Sequence, residues 1–475
     1  MTNPWISAAR VARLLGDSAW ASPAYQDLAE RLRLLIVDGR IGHHTRLPSE
    51  RELATALSLS RSTIAAAYVD LRERGYAEAR RGSGNYAIAA ARAESTALLG
   101  SNSPDDGLIE LTRAAPRATP GLMLAYERAI ERLPAVLGTT GYEPHGLLTL
   151  REAIADRYRS RGLPTEPGQI LITSGALSAI AILARCLLSR GDRVLVDAPT
   201  YPNAIDAFRQ HGARLVAQPL GDDGWDPDAI EFLVRQTSPR LAYQIPDFHN
   251  PTGHLMPAGQ RSRLREVFRE HRVTMIVDET MTELLLDGQP EPGPMAAGLT
   301  DAITIGSASK VFWGGLRVGW IRAPRSLIRP LVQSRIALDL GTAPLEQLVV
   351  AELLRDSSTL LALQRERLAE QRDHLIATLA DRLPAWTLTR PTGGLSVWVS
   401  LPGELSGRLA ANAERHGLLL TPGSQFFPDG GGERRLRIAY TLPTETLTEA
   451  VDRLAALWAE VAALGDSRGG LSLTA

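Results

Sequence analysis

The spacing of apolar and polar positions divides the chain into a short helical opening that ends in a hairpin and a long stretch where apolar runs alternate with helical ones. Between Tyr25 and Val37, the apolar residues Leu28, Leu32, Leu35 and Ile36 recur at helical spacing and predict an amphipathic helix that stops near Gly39. Ser49 and Glu52 stand where a hydroxyl and a carboxylate satisfy each other's backbone donors, so a second helix is expected from Ser49. After the turn Leu57-Ser58-Leu59, Ser60 caps a third helix running to Arg74, with Gly75 as its stop. Two short strands, Tyr76 to Ala79 and Asn85 to Ile88, then flank the turn Arg80-Arg81-Gly82-Ser83-Gly84. Helices followed by a hairpin predict a winged helix-turn-helix over residues 1–88, with its core at 23–88.

From Ala87 to Gly107 the composition turns to Ala, Ser, Asn, Pro and Asp, which predicts a linker over residues 89–107. Beyond it, strands are expected at Gln169 to Thr173, Arg193 to Asp197, Leu241 to Ile245, Val273 to Val277 and Ala302 to Ile305, with a helix from Ala176 to Ser189. That alternation predicts an α/β domain over residues 108–465, built on a mostly parallel sheet covered by helices.

A length of 475 residues exceeds one ordinary core and agrees with two or three domains. The net charge of −1 is unevenly placed, since residues 1–92 hold 13 arginines against 9 acids. A mildly basic head is compatible with nucleic-acid contact. The single cysteine, Cys186, cannot form an internal disulfide and lies in an apolar helical stretch, where it reads as a small core residue. No apolar run reaches the length of a membrane span and no leader pattern opens the chain, so no membrane partner is expected and a cytoplasmic protein is.

Composition changes the picture most at one position. Of 52 basic residues only Lys310 is a lysine. Arginine serves wherever a solvated charge suffices, but it cannot lose its proton and attack a carbonyl, whereas an amine of lowered pKa can form a Schiff base. That is the chemistry of pyridoxal 5'-phosphate (PLP), which also needs an acid for its ring nitrogen, an anion cradle and a flat surface for its ring. Asp278 ends an apolar run, at the place where open α/β sheets bind ligands. Ser174-Gly175-Ala176-Leu177 leads from a strand into a helix, whose free N–H groups suit a phosphate. Ser307, Ser309 and Arg317 are candidates for further phosphate contacts. His249 and His254 lack cysteine or carboxylate partners at ligand spacing, and no metal site is expected.

Two resemblances sharpen these readings. Arg46-Leu47-Pro48-Ser49-Glu50-Arg51-Glu52-Leu53-Ala54, Leu59-Ser60-Arg61-Ser62-Thr63 and Arg81-Gly82-Ser83-Gly84 resemble the GntR family of bacterial regulators. The likeness implies contacts to double-stranded operator DNA by Arg51, Ser60, Arg61, Ser62, Thr63 and Gly82. Ser307-x-Ser309-Lys310 followed by Gly314-Gly315-Leu316-Arg317-Val318-Gly319-Trp320 resembles the fold-type I aminotransferases, which adds the expectation of a smaller α+β subdomain. It implies that Lys310 forms an aldimine with PLP and Asp278 pairs with the ring nitrogen. It further implies that Tyr201 stacks on the ring, Asn250 bonds the ring hydroxyl, Arg437 binds a substrate carboxylate, and Tyr142 reaches the phosphate held by the neighbouring subunit of a homodimer. Two departures bear against efficient transamination while leaving cofactor binding in place: Met281 stands where a tyrosine is usual, and Ala114-Ala115-Pro116 replaces an expected glycine.

The order of head, linker and aminotransferase-like domain resembles the MocR subgroup of GntR regulators. It implies a homodimer, in related proteins packed head to tail, that senses PLP or an amino-acid effector through Lys310. Two other readings stay open, an active aminotransferase with an accessory head and a sensor of PLP alone.

Overall fold

The computed structural model describes residues 5–16, 20–37, 41, 45–80, 84–88, 107–288, 293–355 and 357–466. Gly82 and most of the expected linker, residues 89–106, lie outside them. The head consists of α1 (Ala8–Leu15), α2 (Ala24–Val37), α3 (Glu50–Leu57) and α4 (Arg61–Glu73), then β1 (Ala77–Arg80) and β2 (Gly84–Ala87). The two strands pair antiparallel, and each begins or ends one residue away from its expected bounds. Its core is made by the apolar faces of three helices, with Leu28, Leu32, Ile36, Leu53, Ile64, Tyr68 and Leu71 buried together. Sequence reasoning missed α1, although its signals are present. Ser7 caps it by accepting from Arg10 N–H, and Val11 and Leu15 enter the core at helical spacing.

The body carries a seven-stranded sheet in the order β4-β10-β9-β8-β7-β5-β6. These strands are β4 (Ile170–Thr173), β5 (Arg193–Ala198), β6 (Arg214–Pro219), β7 (Leu241–Gln244), β8 (Thr274–Asp278), β9 (Ile303–Ser307) and β10 (Gly319–Arg322). All neighbours are parallel except where β10 runs antiparallel to both β4 and β9. The central strands are apolar on both faces because helices cover both, as in Val194, Leu195 and Val196. Helices α7 (Ala176–Leu187) and α8 (Pro202–Gln210) pack on one face through Ile180, Leu183 and Phe208. On the other face the core takes Ala129 from α5 (Leu122–Leu137) and Leu150 and Ile154 from α6 (Leu148–Ser160).

A smaller α+β unit follows, with an antiparallel sheet in the order β11-β12-β15-β14. Its strands are β11 (Thr387–Leu388), β12 (Ser396–Ser400), β14 (Thr421–Pro422) and β15 (Arg435–Ala439), and its flanking helix Thr444–Asp466 shares their core. The short strand β3 (Ile109–Glu110) pairs in parallel with β13 (Leu418–Leu419), so the first residues after the linker are tied to this unit. The result is a cleft between the C-terminal ends of β8 and β9, the start of α7 and the edge of the small sheet.

Candidate cofactor site and DNA-binding face

The cleft encloses about 870 Å³, within the range of small-molecule sites. Lys310 stands in the turn after β9, and its Nζ donates to the Ala114 carbonyl at 2.7 Å. Burial, together with the positive charges of Arg437 and Arg317, lowers its amine to about 8, with Asp278 opposing the shift. Asp278, the last residue of β8, is buried and accepts from Tyr243 Oη at 2.6 Å and from Thr280 N–H at 3.0 Å. These bonds hold the carboxylate at the mouth of the parallel strands.

Asn250 and Arg437 meet across the cleft, with Arg437 Nη1 donating to Asn250 Oδ1 at 3.1 Å. Arg437 also donates to the Thr112 carbonyl and lies over the Phe426 ring at 5.0 Å, but its buried Nε has no partner. Burial lowers the guanidinium, which still remains charged at neutral pH. Tyr201 lines the cleft at the start of α8, and its hydroxyl accepts from Asn203 Nδ2 at 2.9 Å.

At the other end, α7 begins at Gly175 without a side-chain cap, so the first N–H groups of the helix are left for another acceptor. Gly175 has φ +91°, and a Cβ there would come within 2.8 Å of Arg317 Nη2. A Cβ on Gly319 would lie 2.6 Å from the Gly175 carbonyl carbon, so two glycines let the backbone and guanidinium close in. Ala176, Leu177, Ser307, Ser309 and Arg317 line this end. Ser307 Oγ accepts from Ser309 N–H at 3.1 Å, whereas the buried Ser309 Oγ is unpartnered. Ser174 contributes its carbonyl, which accepts from Arg317 Nη2 at 3.2 Å.

Most expected cofactor residues therefore converge, but Tyr142 does not. It is 65% exposed and outside the cleft lining of its own chain. Met281 is buried and lines the cleft where a phenol was absent from the sequence. Sequence reasoning missed Tyr243, 35 positions from its partner Asp278, and Phe426; no motif marks either, and only the pairing of β7 with β8 brings the tyrosine to the acid. His249, which has no carboxylate partner at ligand spacing in the sequence, faces Asp197 at 3.3 Å, a contact created by folding across 52 positions. Among the described residues no group of three or more His, Cys, Asp or Glu is placed to hold a metal.

On the head, Ser60 Oγ accepts from Thr63 N–H at 3.0 Å and bonds the hydroxyls of Ser62 and Thr63, each at 2.8 Å. It completes the start of α4, next to the exposed Arg61 and Ser62, while Arg51 is exposed on α3. Thr63 is half-buried.

Residues 97–454 match the class I and II aminotransferases, and residues 24–86 match the gntR family of bacterial regulatory proteins. The chain belongs to the class I and II aminotransferase family, joined to a gntR-family head. This is the arrangement of the MocR subgroup. The 2-aminoadipate transaminase of Thermus thermophilus is 36% identical over 66% of this chain and 79% of its own length. An uncharacterised HTH-type transcriptional regulator of Bacillus subtilis, YisV, is 28% identical over 88% of this chain and 92% of its own. The crystal structure of LysN, the α-aminoadipate aminotransferase of Thermus thermophilus, complexed with N-(5'-phosphopyridoxyl)-L-leucine, superposes with a TM-score of 0.70 at 34% identity, covering 75% of this chain and 94% of that one. The transaminase thus covers 66% of this chain and the LysN structure 75%, whereas the regulator covers 88% of it. Among the described residues no helix is long and apolar enough to cross a membrane.

Proposed function

We propose that the chain is a DNA-binding transcriptional regulator whose body holds PLP at Lys310 and changes the grip of the head on operator DNA when PLP, or an amino acid reacting with it, is bound. The observation that carries this reading is the chain's one lysine, half-buried in the cleft with its amine lowered to about 8, near polar groups that have no partner within the protein. The uncapped start of α7, Ser309 Oγ and Arg317 fit a phosphate, and the open Nε of Arg437 fits a carboxylate. When bound, PLP supplies an aldehyde that a lysine amine captures and an amino acid can take over, with the ring as electron sink.

The side chains divide the work of holding it. Asp278 keeps the ring nitrogen protonated, Tyr201 covers the ring face, and Asn250 donates to the ring hydroxyl. Ser174 to Leu177, Ser307, Ser309 and Arg317 take the phosphate, and Arg437 takes the carboxylate of an amino-acid effector. Tyr142 completes the phosphate site of a second copy. Exposed Ile336, Leu338 and Leu340 support that homodimer, because Arg335 Nη1 donates to the Pro144 carbonyl at 3.1 Å and so places their loop beside Tyr142. Such an apolar rim at the mouth of the cleft joins dimerisation to ligand binding, with head-to-tail packing as one arrangement.

On the DNA side, Arg51, Arg61, Ser62 and Thr63 reach bases and phosphates, Ser60 orients them, and Gly82 is the further DNA contact expected from the family resemblance. Residues 1–88 then form the reading head, 89–107 the linker and 108–465 the sensor. The protein works in the cytoplasm, on the nucleoid when DNA is bound. If PLP or its amino-acid adduct favours one dimer conformation, and that conformation spaces the reading helices differently, DNA affinity changes by the same coupling factor.

The test is the affinity for DNA from the gene's own upstream region at fixed salt, with and without PLP, in the wild type and in Lys310→Ala. A PLP-dependent change that the variant loses supports the regulator. Affinity that ignores PLP and every amino acid contradicts it. The second reading, a working transaminase, is favoured by the 36% identity to 2-aminoadipate transaminase and requires steady turnover of an amino acid and a 2-oxo acid. A sensor of PLP alone would respond with Arg437 removed.

A further inference from the structure

Asn250 sits in a loop fixed from beneath the cleft. Residues 249–254 close on themselves, with His249 N–H donating to the His254 carbonyl at 2.8 Å and Gly253 N–H to the His249 carbonyl at 2.6 Å. The buried His249 imidazole links this loop to the large sheet. Its Nδ1 lies 3.0 Å from Thr252 Oγ1, and its Nε2 lies 3.3 Å from Oδ2 of Asp197 on β5. Trp225 packs edge-on against the imidazole, ring centres 5.7 Å apart.

The hydrogen-bond inventory fixes the proton. Asp197 Oδ1 already accepts from Trp225 Nε1 at 3.0 Å and from the Gln218 amide. Its Oδ2 and His249 Nε2 each lack a hydrogen-bond partner, and they face each other at 3.3 Å. A buried carboxylate oxygen needs a donor, and a proton on Nε2 provides one. Nδ1 is then an acceptor for the Thr252 hydroxyl, whose oxygen accepts from His254 N–H at 3.3 Å. The chain of contacts runs from the sheet through Asp197, His249 and Thr252 into the loop that carries Asn250. Neither Asp197 nor His249 lines the cleft.

We propose that Asp197 and His249 are positioning residues that hold Asn250 against the ring hydroxyl of bound PLP and so keep that hydroxyl easy to ionise. The inference rests on the reading of the cleft as a PLP site. Arg437 takes the Asn250 amide oxygen, which leaves the amide N–H groups to donate to the ring oxygen. A donor held there stabilises the ionised oxygen, and a loosened loop weakens it.

The full-length protein is loaded with PLP and its visible absorption followed against pH, which gives the midpoint at which the bound chromophore gains its proton. Asp197→Asn and His249→Leu raise the midpoint by about one unit, the scale of one hydrogen bond to a charged group. His249→Gln, whose amide can donate to Asp197, restores it. Lys310, Asp278, Arg317, Arg437 and Tyr201, the other titratable groups facing the ring site, stay constant through this series. Asp197→Asn exchanges a single oxygen, so the test stands even if His249→Leu fails to fold. An unmoved midpoint in Asp197→Asn, with Asn250→Ala raising it, overturns the positioning role and leaves the PLP site standing. No shift in any of them, Asn250→Ala included, overturns both.

Discussion

Three of the four helices described in the head finish their own N-termini with a serine, whereas the helix that opens onto the cleft does not. Ser7, Ser49 and Ser60 each turn a hydroxyl onto a backbone N–H of the helix that follows, and Glu52 returns a bond to Ser49 N–H at 2.9 Å. In the body, α7 starts from Gly175 with no such cap, near a serine hydroxyl that has no partner, and at the other end of the cleft Arg437 leaves its Nε open. Unsatisfied buried groups are costly, and a fold retains them where a ligand supplies what is missing. Among the described residues the head leaves no buried side-chain polar atom unpartnered and exposes Arg51 and Arg61. The body leaves such groups open in the cleft that holds its only lysine.

The comparison breaks most visibly if Lys310 is removed. Borohydride reduction of the PLP-loaded protein should leave a stable adduct on residue 310 by peptide mass spectrometry, and Lys310→Ala should leave none, since no second lysine can substitute; an adduct in the variant would refute the assignment.

Because the amine is lowered to about 8, it is mostly protonated at pH 6 and must lose a proton to attack. Stopped-flow capture of PLP should therefore speed up by about fifty-fold from pH 6 to pH 8 and gain no more than about two-fold above that, whereas an ordinary lysine would keep accelerating past pH 9.

The next effect belongs to the head. Arg61→Ala should cost about 1–3 kcal/mol in DNA affinity by fluorescence anisotropy, with PLP absorbance unchanged. Of similar size is the effect of Gly175→Ala, which forces a side chain into a glycine conformation against Arg317. At about 1–3 kcal/mol of strain, PLP binding should weaken by roughly ten-fold while DNA binding of the PLP-free protein is kept. Ser49→Ala should act in the opposite place, lowering head stability by about 1 kcal/mol in thermal melts without altering the cofactor spectrum. A cap substitution that weakened PLP binding, or a Gly175 substitution that melted the head, would erase the distinction between the two regions.

Legibility in the sequence followed the same divide. Capping serines and apolar spacing placed α2, α3 and α4 because these signals are local, and α1 carried them too in Ser7, Val11 and Leu15. Apolar runs located β4, β5, β7, β8 and β9, but nothing local told β10 to run antiparallel, since direction is decided by the chain's route. In the site, the residues on motifs came together around Lys310. The supports that act across strands did not announce themselves. Tyr243 finds Asp278, and Asp197 finds His249, only after the sheet has set their neighbours. Gly82 lies outside the described residues, and Tyr142 is exposed and outside the cleft lining of its own chain.

The central claim is that the two regions are energetically coupled, and coupling is reciprocal. The most direct test titrates PLP into the wild-type protein by absorbance, with and without saturating upstream DNA at one salt concentration, and pairs it with DNA affinity measured with and without PLP. The account predicts that DNA changes PLP affinity by the same factor as PLP changes DNA affinity. A PLP affinity indifferent to bound DNA would contradict it and leave an enzyme carrying a head that does not listen.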